Sequence, residues 1–159
     1  MDRSVIFQAF VDKWTHPDYR PKPVESSSVD LCAEKLKVVF PSSYYEYLTS
    51  FGSGGTTREL LDSIVEDEVE INDLSEVFTP DELIESTDAW RGAGMPKDLI
   101  AFASDCMGNM FCFKSSEIVI AKDDSPIWFF DHDFVTVEKI QDSFTSWIYE
   151  FVKIEKLDA

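Results

Sequence analysis

Between Glu59 and Asp88 the chain has no lysine and no arginine. The same span carries Glu59, Asp62, Glu66, Asp67, Glu68, Glu70, Asp73, Glu76, Asp81, Glu82, Glu85 and Asp88. That run supplies −12 of a formal net charge of −17, leaving about −5 for the other 129 residues. A field of this sign excludes nucleic acid and anionic membranes as direct partners and favours cationic protein surfaces.

Other scarcities narrow the class further. Three cysteines (Cys32, Cys106, Cys112) form no CxxC pair and leave one over, which fits reduced thiols in a cytosol rather than a disulfide framework. Two histidines, His16 and His132, leave no zinc-ligand spacing. No run approaches the roughly 18 apolar residues of a membrane span. The opening MDRSVIFQAFVDKW is interrupted by Gln8, Asp12 and Lys13 and does not read as a signal peptide. What is present is apolar: 44% hydrophobic and 14% aromatic residues, with 13 Phe and 4 Trp, are too many for a disordered acidic tail. A chain of 159 residues is expected to fold as one cytoplasmic domain over residues 1–159.

Local patterns then place the elements. Val5, Phe7, Ala9, Phe10 and Trp14 suit a short helix ended by His16-Pro17. Tyr19 to Ser28 reads as a loop. Ser28 caps a helix to about Val39 with a Cys32, Leu36, Val39 stripe. Ser42 begins another, with Tyr44, Tyr45, Tyr47, Leu48 and Phe51 on it and Gly52 in the left-handed closing position. Arg58 to Val65 fits helix or strand. Val69 and Ile71 alternate with acids and predict a short strand. Thr79-Pro80-Asp81-Glu82 is a capping box opening a helix to about Trp90. Ile100 to Ala103 and Met110 to Phe113 predict an antiparallel hairpin, and Ile118–Ile120 and Ile127–Phe130 two more strands. Ile140, Phe144, Trp147, Ile148, Phe151 and Val152 share one face of a last helix. The expected class is α+β, a mostly antiparallel sheet with N-terminal helices and a C-terminal helix around it.

Catalytic chemistry has little to stand on. Asp131-His132-Asp133 brings a histidine between carboxylates, but consecutive strand residues point to alternating faces and do not converge on one ion. Cys106 and Cys112 flank the expected hairpin turn and read as packing. Gly52-Ser53-Gly54-Gly55 follows a helix and lacks the Lys-Ser/Thr ending of a phosphate loop. Neither GxSxG nor HExxH occurs. The chain is therefore expected to be no enzyme, with no metal and no cofactor. Among Trp128, Phe129 and Phe130, about two are expected in the core. Among Tyr44, Tyr45 and Tyr47, at least one faces outward and suits a protein interface.

Phe40-Pro41-Ser42-Ser43-Tyr44 to Leu48, Gly54-Gly55, Leu99 to Asp105 with Gly108-Asn109, Pro126-Ile127-Trp128 to Asp133, then Ser143-Phe144 with Trp147-Ile148 follow in order. This arrangement resembles the SUKH superfamily, the Smi/Knr-like proteins, over about Val29 to Val152. The Asp-Cys-Met turn before Gly108 and the acidic middle from Glu59 to Asp88 depart from its pattern. The resemblance implies a non-enzymatic binding fold whose bacterial members look like immunity proteins that neutralise polymorphic or contact-dependent toxins. Many such toxins are nucleases with cationic clefts, which the acidic run would complement. Such complementarity raises association rates to something on the order of 10⁸ M⁻¹s⁻¹ at low salt.

The expected interface is Tyr45 with Glu66, Asp67, Glu68, Glu70, Asp73, Glu76, Asp81, Glu85 and Asp88. The expected partner is a cognate toxin with a basic surface, with no direct nucleic acid and no membrane. The resemblance also admits a regulatory interaction scaffold of the cell-wall-regulator type. A metal-dependent hydrolase on Asp131, His132 and Asp133 is the reading the residues favour least.

Overall fold

A computed structural model of the protein describes residues 2–120 and 122–157. Three helices open the chain: α1 (Arg3–Trp14), α2 (Ser26–Leu36) and α3 (Ser42–Ser50). A two-residue strand β1 (Gly54–Gly55) leads to α4 (Arg58–Glu66), β2 (Glu76–Val77) and α5 (Pro80–Gly92). The hairpin β3 (Leu99–Ser104) and β4 (Met110–Lys114) is followed by the short α6 (Ser115–Ile118). A second hairpin, β5 (Ile127–Asp131) and β6 (Thr136–Gln141), precedes α7 (Phe144–Lys153). The strands form one six-stranded sheet in sequence order, every neighbour antiparallel. The α+β expectation holds.

Alternation along the strands supplies two apolar faces. Phe102, Phe111 and Phe113 turn to one side, where Phe102 stacks on Phe113 at 4.4 Å and Phe111 meets Trp147 of α7 at 4.8 Å. Tyr44 and Phe144 close the same cluster, and Trp14 of α1 donates its indole N–H to Phe151 O at 2.8 Å. The opposite face takes α5. Thr87, fully buried, accepts the Ala101 N–H at 3.0 Å, and Trp90 lies 6.1 Å from the ring of Phe130. Removing a large buried aromatic such as Phe102 costs about 3–5 kcal/mol in comparable cores.

Helix ends follow local chemistry. Thr79 and Glu82 form the predicted capping box on α5, with Glu82 N donating to Thr79 Oγ1 at 3.1 Å and Thr79 N to Glu82 Oε1 at 2.9 Å. Gly52 takes φ +112°, and a Cβ there would stand 1.8 Å from the Lys22 carbonyl oxygen, so only glycine fits beside the Lys22–Ser53 bridge.

Four expectations are corrected. Helix α2 starts at Ser26 and stops at Leu36, because Lys37 (φ 58°) turns left-handed and Val38 N bonds Ala33 O, leaving Val39 exposed. Val69 and Ile71 lie in a loop, not a strand. Glu68 (φ 50°) ends α4 the same way, Val69 N donates to Ile64 O at 3.0 Å, and the strand forms later at Glu76–Val77. Val119 and Ile120 are exposed, and Ile118 ends a helical turn whose start is held by Asp98 through Ser115 and Ser116. Ile140 belongs to β6, and α7 begins only at Phe144, capped by Ser143 Oγ accepting Ser146 N at 3.0 Å.

Candidate protein-interaction surface

The acidic run is divided by the fold. Helix α4 and the loop after it carry Glu66, Asp67, Glu68 and Glu70, all exposed. This stretch sits on the α1/α7 side: Thr57 N donates to Trp14 O at 2.7 Å, and Leu157 N donates to Ser63 Oγ at 3.3 Å. Helix α5 carries Asp81, Glu85 and Asp88, also exposed; its start borders α2 at Cys32 and Lys35, and its later turns pack on β3 and on Phe130 of β5. The run thus makes two flanks joined through β2.

Between the flanks the carboxylates are used by the fold. Asp73 Oδ2 accepts the Cys106 N–H at 3.0 Å, and its Oδ1 lies 3.3 Å from Cys106 Sγ. Glu82 is held in the α5 cap. Glu76 is half-buried; partial burial and the neighbouring Glu82 push its carboxyl above the usual range. Among the described residues, only Glu59 (Lys156, 3.6 Å) and Asp62 (Arg58, 3.7 Å) of the twelve have a cation within salt-bridge reach. From Glu66 to Asp88 every carboxylate lacks one, whereas ordinary surfaces intersperse both signs.

Of the three tyrosines on α3, Tyr44 and Tyr47 are fully buried and Tyr45 is the one that reaches the surface. It lines a recess with Val29, Ala33, Val38 and Phe40, where the nearby acids are Asp30 and Glu34. The recess that Tyr45 lines therefore holds none of the carboxylates between Glu59 and Asp88. Phe129 and Phe130 are buried, and Trp128 is half-exposed with Lys114 Nζ 3.5 Å above its ring and its indole N–H donated to Glu117 Oε1 at 2.6 Å.

The Asp131-His132-Asp133 cluster is a hairpin turn. Asp131 Oδ1 accepts the Asp133 and Phe134 N–H groups at 2.9 and 3.3 Å. His132 N donates to Asn109 Oδ1 at 3.1 Å, and its ring Nδ1 lies 2.7 Å from the same oxygen. Asn109 is itself held by Asp105, whose Oδ1 accepts Met107 N and Asn109 N at 2.9 and 2.8 Å. The Asp105, Gly108, Asn109 and His132 positions of the family-like pattern thus clip two hairpin turns together. No group of three or more His, Cys, Asp or Glu placed to hold a metal occurs among the described residues. Cys106 is exposed, whereas Cys112 is buried and paired in register with Ala101 and Trp128, so the two thiols are not ladder partners.

A clip of this kind, a meander sheet between N-terminal helices and a closing α7, and a family model matching residues 23–150 agree. The chain belongs to the SMI1/KNR4 family (SUKH-1). Membership supports an immunity-type or Smi1/Knr4-type domain, and with it a role in protein–protein interaction. Comparison with curated proteins finds no match. No helix among the described residues is long and apolar enough to cross a membrane.

Sequence reasoning missed one element of this surface. The edge strand β6 was hidden because Ile140 stands four and seven residues before Phe144 and Trp147, which extends the helical stripe of α7. Its signal was the Val137 and Ile140 pair flanked by charges after the Asp131–Val135 turn.

Proposed function

We propose that this SUKH-1 chain is a non-enzymatic immunity protein that binds and neutralises a toxin with a cationic surface, a nuclease domain fitting best. The observation that carries the reading is the absence of any ion-pair partner, among the described residues, for the carboxylates from Glu66 to Asp88. Unpaired exposed acids lose little solvation to an incoming Arg or Lys and no internal ion pair has to break first. The primary contact in this reading is the flank of Glu66, Asp67, Glu68 and Glu70, with Asp81, Glu85 and Asp88 as a second flank. Tyr45, Asp73 and Glu76 take supporting roles: Asp73 positions the Cys106 turn, and Glu76 beside Glu82 is a site whose repulsion a cation would relieve.

Co-expression with the product of the adjacent reading frame, assayed as a toxin, tests the proposal. Growth protection, together with a stoichiometric complex isolated at low salt, is expected. Failure of both, with the effector active, would contradict it. The family also contains the regulatory Smi1/Knr4 type; for that role the neighbouring reading frame would encode no toxin.

A further inference from the structure

Beside the Glu66–Glu70 flank lies a groove of about 360 Å³ walled by the Val69–Asn72 loop on one side and Glu138–Gln141 of β6 on the other. Its apolar lining is Val69, Ile71, Ile140 and Trp147, and its acids are Glu70, Glu138 and Glu150. Glu150 is shared with Lys153 at 2.8 Å, and Lys139, the cation in the groove, is held by Asp142 at 2.9 Å. Glu70 and Glu138 have no cation within reach among the described residues.

Two independent observations point to a ligand here. Trp147 is 1% exposed, yet its indole Nε1–H has no acceptor among the described residues. Its ring is packed on Phe102, Phe111, Phe144 and Phe151, and the residue also lines the groove, which is the recess nearest at hand for an acceptor. A buried donor left unpaired is costly until an acceptor reaches it. The second observation is the sheet edge. β6 pairs only with β5, and no other described backbone bonds to Thr136–Gln141. The opposite edge, β1, is two residues long. An open six-residue edge is a template for an added strand. A second copy of a chain carrying −17 is a poor occupant, because it would bring its own acids to Glu70 and Glu138.

We infer that this groove takes an extended, arginine-bearing segment of the partner protein. The segment pairs along β6 as a further strand, lays an arginine stem on Val69, Ile71 and Ile140, and sets the guanidinium between Glu70 and Glu138. A carbonyl of the segment accepts the Trp147 indole N–H. The inference rests on the cationic-partner reading above and gives it a specific seat.

The test is an NMR titration of the full ¹⁵N-labelled chain with a capped hexapeptide alternating arginine and valine, up to about 1 mM. A glutamate–valine peptide runs in parallel. The expected result is saturable movement of the Trp147 indole N–H and of the Thr136–Gln141 amides with the arginine peptide alone. Glu70→Lys with Glu138→Lys is expected to weaken this about tenfold. An unmoved indole and unmoved β6 amides would overturn the inference. So would shifts confined to Asp81–Asp88, which would leave the cationic-partner reading standing. So would β6 shifts that follow protein concentration without peptide, the mark of a second copy. If the groove binds peptide but co-expression gives no protection, the immunity reading fails and the groove stands.

Discussion

Asp73 and Cys106 form a pair whose chemistry is readable from outside. Partial desolvation at this exposed turn first, and then the hydrogen bond and charge of Asp73, raise the Cys106 thiol above its usual range. Thiols react as thiolates, so a raised value slows alkylation. Cys32 is buried and pushed up to about 11, and Cys112 is fully buried and raised further. Native protein at pH 8 is therefore expected to expose one fast thiol of three to a disulfide reagent, and Asp73→Asn is expected to speed that reaction severalfold. An unchanged rate would mean that Asp73 does not hold the Cys106 proton. The residue scale also shows how the candidate carboxylates differ: three residues apart, Asp73 is committed to a turn while Glu70 is left to solvent.

Among the elements, α7 depends on a carboxylate far from it in sequence. Asp124 Oδ1 accepts Phe144 N at 2.8 Å and Ser43 Oγ at 2.9 Å, and Oδ2 accepts Thr145 Oγ1 at 2.6 Å. One side chain thus closes the first turn of α7 and ties it to α3. Asp124→Ala is expected to cost about 1–3 kcal/mol. For a chain of this size that is a loss of roughly 2–4 °C in Tm per kcal/mol. A melting point within a degree of the parent would show that the cap is dispensable. Asp98 plays a similar part for α6. Partial burial raises its carboxyl, but hydrogen bonds from Ser115 and Ser116 outweigh this and leave it below the usual range. A lowered folded value means that its stabilisation is full above the ordinary carboxylate pKa of about 3.9 and is lost as pH falls through the folded one. Asp98→Asn should thus lower Tm at pH 7 and lose its effect at the acid end.

These contacts explain which elements the sequence made legible. The α5 capping box was readable because both partners lie three residues apart, and the Gly52 closure because its N–H bonds Tyr47 O five residues back; the close approach of Lys22 that excludes any other residue there was not. The β3–β4 hairpin was readable because its strands are buried apolar runs around Asp105 and Asn109. Helix α6, the Val69–Ile71 loop and β6 were not. Asp98 and Lys114-to-Ser115 geometry decides the first, a left-handed Glu68 at the end of α4 the second, and pairing with β5 the third. The candidate acids were legible as residues, but their division between two flanks was not, because it depends on which elements α4 and α5 pack against.

For the whole molecule, a net charge of −17, with most carboxylates lacking a cation within reach among the described residues, means self-repulsion. Screening shortens its range to about 10 Å at 0.1 M salt. Tm is therefore expected to rise by about 2–4 °C from low to moderate salt, in keeping with roughly 1 kcal/mol of relief. A falling Tm would place the dominant electrostatics in attractive pairs instead. Reversing Glu66, Asp67, Glu68 and Glu70 to Lys moves the charge from −17 to −9 without touching a hydrogen bond among the described residues. Position 68 tolerates Lys, since Lys37 already holds the same left-handed conformation. That variant should fold at least as stably as the parent. It therefore isolates binding from folding in the most direct measurement, a calorimetric titration of both forms with the toxin domain that protection on co-expression identifies, across a salt series. Affinity is expected to fall steeply with salt for the parent, and to be about tenfold weaker or worse, with a shallower slope, for the variant. An affinity indifferent to salt and equal in the two forms would contradict an interface built on the acidic run.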